Sequence, residues 1–199
     1  MLKLNTFDKK AISSIMIAQA AMFNVNILLK EALEIEDKSE YYKTKVKRIL
    51  EQCIEFNNWL NKTNDRFAMT MNRNDKVTMI NRATNHITKS DELMGNKLNV
   101  YVEEIGDKYI KKTVSAITIV QSSLINADNI FSKSLKYSKK DMQTKDIIMD
   151  ILDKINEYID WIEDIVFFMA TTMSKAEYNA VIERANNYIK LTDKENGLL

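Results

Sequence analysis

Apolar side chains recur along this chain at three- and four-residue spacings, the period of a helix that buries one face. Ile12, Ile15, Met22, Leu29 and Leu33 form the first such stripe, widened by Ile17 and Leu28. The spacing predicts a helix from about Asp8 to Ile35, capped by Asn5 or Thr6 and covered on more than one side. A polar loop at Glu36–Ser39 follows, with Ser39 as the cap of a long second helix from about Glu40 to Met71. Its inward positions are Val46, Ile49, Cys53, Phe56, Leu60 and Phe67. Asn72-Arg73-Asn74-Asp75 then opens a short third helix carrying Met79, Ile80, Ala83 and Ile87.

The pattern then repeats. Laid without a gap on residues 103–199, residues 1–97 return 24 identical pairs, each displaced by 102 positions. The densest match sets Ile80, Arg82, Ala83, Asn85 and Ile87 on Ile182, Arg184, Ala185, Asn187 and Ile189. Val114, Ile117, Leu124, Phe131 and Leu135 repeat the first stripe, and Ile148, Ile151, Ile155, Tyr158, Ile162, Ile165 and Met169 the second. Asp141 caps the second helix of this copy, and Ser174-Lys175-Ala176-Glu177 is the capping box of its third. Two copies are too few for a solenoid. The expected fold is therefore all-α, a tandem duplication of a three-helix unit packed as a pseudo-two-fold helical bundle. Its parts are a first unit over 1–97, a connector over 98–102 inside a helical segment of about 91–105, and a second unit over 103–199, forming one compact domain. The connector lacks a Gly/Ser/Pro run, which argues for units packed together over units on a flexible tether.

Composition agrees with helix and narrows the chemistry. The chain has no proline, three glycines, 45% apolar and 29% charged residues. Its net charge of +1 gives no global basic surface for nucleic acid. Residues 1–100 are basic (16 basic, 12 acidic) and residues 101–199 acidic (13 basic, 16 acidic); drift after duplication is the expected cause, with head-to-tail self-association of opposed halves the alternative. Lys43, Lys45, Lys47 and Arg48 are the best nucleic-acid segment, but on a helix they spread around the axis, and the second copy keeps Lys145 while setting Asp146 and Asp150 at the positions of Thr44 and Arg48. Cys53 is the only cysteine and matches Ile155, so a buried small hydrophobe is expected. No signal peptide opens the chain, and no apolar run approaches the ~18–20 residues of a membrane span, so a cytoplasmic setting is expected. Abundant Ile, Asn and Lys point to an AT-rich coding genome, in keeping with a viral or mobile-element protein.

No catalytic, cofactor-binding or metal-ligating set emerges. His86 is the only histidine and matches Tyr188, and three scattered glycines make no phosphate loop. The candidate partner or ligand contacts are the polar and tryptophan positions that occur in both copies. They are Gln19, Asn24, Trp59, Arg82 and Asn85, with Gln121, Asn126, Trp161, Arg184 and Asn187. Buried amides need hydrogen-bond partners, so Gln19 and Asn24 are expected to bond across packed helices. The tryptophans are expected to pack one copy on the other, and Arg82 and Arg184 to pair with Glu55 and Glu157. Val166, Phe167 and Phe168 replace Asn64, Asp65 and Arg66; they either complete an asymmetric core or mark a partner surface.

The expected function is that of a non-enzymatic helical interaction protein: an adaptor, assembly component or inhibitor binding a protein partner or itself through helix faces. Two alternatives stand beside it. One is a small-ligand or nucleotide-binding module with its site between the two copies. The other is a nucleic-acid-binding regulator using Lys43–Arg48.

Overall fold

In the computed structural model, residues 4–35, 38–81, 84, 108–170, 174–176, 178–180, 183 and 187 are described. Their regular structure is helical, with turns and short loops between the helices and no strand among them. The long helices are α1 (Thr6–Leu33), α2 (Glu40–Ala68), α4 (Lys108–Tyr137) and α5 (Met142–Ala170). The short α3 is described over 73–81, and residues 175–176 and 178–180 are also helical. The connector lies outside the described residues.

The starts of α1, α2, α3 and α5 each have a local cause. Asn5 and Asp8 form a reciprocal capping box, Asn5 Oδ1 accepting from the Asp8 backbone at 2.9 Å and Asp8 Oδ2 from the Asn5 backbone at 2.8 Å. Ser39, Asn72 and Asp141 each accept from the backbone N–H three residues on, at 3.2, 2.9 and 2.8 Å. Two helix ends fall short of the sequence expectation. α1 stops at Leu33 because Glu34 N–H bonds Glu31 O and tightens the last turn. α2 stops at Ala68 because Thr70 donates to Phe67 O from both its backbone and its hydroxyl.

α1 and α4 make the most extensive contact, α2 packs on α1, and α5 packs on α4. The start of α1 meets the end of α4 through Asn5, Asp8, Ser134 and Ser138, so these two helices are antiparallel. α2 and α5 touch lightly, through aromatic side chains. Because α2 and α4 therefore point the same way, the chain after α2 must travel back along the bundle. α3 begins that return beside α1: Asp75 pairs with Lys9 at 2.5 Å, and Met79 is buried in the core.

The predicted stripes are the observed core. Ile12, Ile15, Met22 and Leu29 on α1, and Val114, Ile117, Leu124 and Phe131 on α4, are buried, as are the six inward positions of α2. Each fully buried side chain of this size contributes ~1.5–3 kcal/mol. Small buried residues let the α1 and α4 backbones approach: Ala11, Ser14, Ala18 and Ala21 on one, Thr118, Ser122, Ser123 and Ala127 on the other. The α4 hydroxyls cost little there, since Thr118, Ser122 and Ser123 each donate to the carbonyl four residues back at 2.7–2.8 Å.

One sequence expectation is corrected. α1 does contain an 18-residue window with mean hydropathy 1.6, long and apolar enough by length and composition to cross a membrane. In this fold 61% of that window is buried, because α1 is enclosed by α2 and α4.

Candidate functional site

Three places gather side chains with chemistry. The first is a cleft within the first unit. Gln19 reaches from α1 to α2, its Nε2 donating to Asn61 Oδ1 while its Oε1 accepts from Asn64 Nδ2. These interhelix bonds are those expected of Gln19. In the second copy Gln121 Nε2 donates to Glu163 Oε1 at 3.3 Å, across the same 42-residue separation. Around Gln19 a cleft of about 640 Å³ opens, with Met16, Ala20, Phe23 and Asn24 on its α1 wall. Asn57 and Asn61 line its α2 side, and Ile80 and Thr84 its third side. A narrower pocket of about 230 Å³ adjoins it and adds Asn64, Asp65 and Lys76. Asn57 Oδ1 and Asn64 Oδ1 are buried without a hydrogen-bond partner. Among the described residues the cleft is lined by α1, α2, Ile80 and Thr84; the sequence suggested a ligand site between residues 1–97 and 103–199.

The second place is an aromatic contact between α2 and α5. Phe56 and Tyr158 stack with centroids 3.9 Å apart. Trp59 packs against both at 5.9 and 5.2 Å, and Trp161 at 6.0 and 6.1 Å. The tryptophans thus contact aromatic rings of both α2 and α5. Beyond this seam the face becomes exposed: Lys45 Nζ lies 5.7 Å from the Tyr41 ring and 6.0 Å from Phe168. Tyr41 is 69% and Phe167 74% exposed. Of the three apolar residues particular to the second copy, Val166 packs partly against the core and Phe167 and Phe168 face outward. Lys47 and Arg48 are exposed on α2, while Lys45 covers the aromatic rings.

The third place went unread in the sequence. Asp8 is completely buried, with Lys140 Nζ 2.6 Å from Oδ2 and Ser134 Oγ donating to Oδ1 at 2.7 Å. Asn5 Nδ2 adds bonds to Ser134 Oγ and Ser138 Oγ at 3.1 and 2.8 Å. In the sequence Asp8 marked only the approximate start of the first helix.

The remaining candidates separate. Asn24 is exposed at the cleft, whereas its counterpart Asn126 is buried with Nδ2 unpartnered. Asn187 is helical and half-buried. Arg82, Asn85 and Arg184 lie outside the described residues, and with them the proposed pairing to Glu55 and Glu157. Cys53 is enclosed in the core, where burial pushes its thiol from 9.0 up to about 12, so it stays protonated and unreactive near neutrality. Among the described residues no three His, Cys, Asp or Glu side chains gather as a metal set.

Comparison with protein-family models, curated proteins and solved structures finds no match for this chain.

Proposed function

We propose that this chain is a non-enzymatic helical interaction protein, working in the cytoplasm and binding a protein partner or a second copy of itself. The exposed aromatic edge of the α2–α5 face carries the reading. Tyr41 and Phe168 flank Lys45, which bridges the two helices, and Phe167 is exposed next to Phe168 in the chain. Exposed aromatic clusters of this kind supply the anchors of protein interfaces, because they bury large area for little side-chain entropy.

The scaffold under this face is, in the same proposal, a duplicated three-helix unit closed about a pseudo-two-fold axis. Two relations support it. Gln19–Asn61 and Gln121–Glu163 are the same bridge displaced by 102 positions. Phe56 and Tyr158, which occupy matching positions, meet each other, as residues beside a two-fold axis do.

The test is the native mass of the full chain in mild buffer, with co-purifying species identified, compared with Phe167→Asp. A discrete assembly that Phe167→Asp dissociates without lowering the melting temperature is the expected result. A strict monomer with no bound protein, across concentrations up to about millimolar, would overturn the proposal.

A further inference from the structure

The α2–α5 face divides its charge by helix. α2 carries six basic and four acidic residues, α5 two basic and seven acidic. The helices run antiparallel: Phe56 stacks on Tyr158, while Lys45, nearer the start of α2, reaches Phe168 at the end of α5. Along the helix axes from that stack, Arg48 and Asp164 lie roughly 12 and 9 Å toward one end, and Lys62 and Asp150 roughly 9 and 12 Å toward the other. All four are exposed, and none is ion-paired or hydrogen-bonded among the described residues. Between these two levels sit Trp59 and Trp161, each half-buried. Beside them, the Glu157 carboxylate is already taken up by Lys154 at 2.6 Å.

We propose that the partner of this face is a second copy of the chain, docked about a two-fold axis parallel to the helices. This partner depends on the reading of the face as an interaction surface. Such an axis sets α2 of one copy on α5 of the other at the same level. Arg48 then meets Asp164 of the second copy and Lys62 meets Asp150, and each pair occurs twice. A two-fold across the helices would instead lay α5 on α5, acid on acid. A foreign helix of one sign would suit one of the two helices and be repelled by the other, whereas a second copy brings both signs in the required order. The tryptophans fall at the centre, where interface anchors concentrate, and the charges at the rim. Two 29-residue helices side by side present a footprint of roughly 43 by 20 Å, close to the ~800 Å² per partner of a stable interface.

The test is sedimentation equilibrium of the full chain. A two-chain species is expected, with a dissociation constant of about micromolar order that rises with salt. Arg48→Asp and Asp164→Arg should each keep the helical spectrum and weaken the dimer about tenfold or more. An equimolar mixture of the two variants should restore it, because one chain is then acidic at both positions and the other basic at both. A dimer indifferent to both reversals, or a mixture that stays monomeric, overturns the proposal. A monomeric chain that holds a different protein, lost in Phe167→Asp, overturns it and leaves the interaction reading standing. A monomer with no bound protein overturns both.

Discussion

Lys140 Nζ sits 2.6 Å from Asp8 Oδ2, with 3% of one side chain and none of the other exposed. The pair joins the start of α1 to the loop between α4 and α5, across 132 residues of sequence. A buried ion pair need not stabilise a fold relative to apolar residues of the same shape, but breaking one is costly because the remaining charge is stranded. Lys140→Met is expected to destabilise the protein by about 3 kcal/mol. Adding Asp8→Leu to that variant should recover most of the loss. Urea unfolding of the single and double variants decides this; equal stability of wild type and Lys140→Met would mean that Ser134 and the Asn5 backbone suffice for Asp8.

Phe56 is buried between Tyr158, Trp59 and Trp161. Truncation leaves a hole where α2 and α5 otherwise touch only lightly. Phe56→Ala should cost about 3–5 kcal/mol and shift tryptophan emission to the red, as both indoles lose a neighbour that excludes water. Tyr158→Phe keeps the stacked ring and should cost under about 1 kcal/mol. Chemical denaturation followed by fluorescence reads both effects at once.

Cys53 makes stability depend on alkaline pH. Between 9.0 and about 12 the unfolded chain has lost the thiol proton while the folded chain keeps it. The folded state then binds more protons, so stability falls as pH rises through that window, by at most about 1.4 kcal/mol per unit. Other groups titrate there too, and the difference between wild type and Cys53→Ala isolates this one. The variant should lose less stability between pH 9 and pH 11; parallel curves would show that the thiol ionises without unfolding.

Asp128 on α4 is pushed above the ordinary carboxylate value by desolvation, opposed by a hydrogen bond from Asn156. The folded chain therefore holds this proton to higher pH than the unfolded one, and stability is lost as pH rises through the folded value. Asp128→Asn should melt higher than wild type at pH 7, and the gap should close as pH falls below 3.8. Melting curves at several pH values test the sign, and a gap that widens on acidification contradicts it.

Much of this architecture was legible because it is local. Helix caps at Asn5, Ser39, Asn72 and Asp141 follow from side chains that reach an N–H three residues away. The buried stripes of α1, α2, α4 and α5 follow from 3.6-residue periodicity. The likeness of residues 1–97 to 103–199 is likewise written in the chain. Gln19 could be read as an interhelix bond because a carboxamide on a packed face must find a partner.

What the chain left open were partnerships over distance. Asp8 marked only the approximate start of the first helix, and the antiparallel packing of α1 on α4 is what brings Lys140 and Ser134 onto its lone pairs. Asn24 and Asn126 are the same residue at matching positions, yet one is exposed at a cleft and the other buried. Whether Phe167 and Phe168 would complete the core or stand outside it was undetermined by helical period, since two adjacent residues point some 100° apart on any helix. Sequence by itself determined where helices begin and which face each buries, because those depend on neighbours within a few residues. Tertiary structure decided which polar groups are paired, which are stranded and where a cleft opens, because those depend on how separate helices meet.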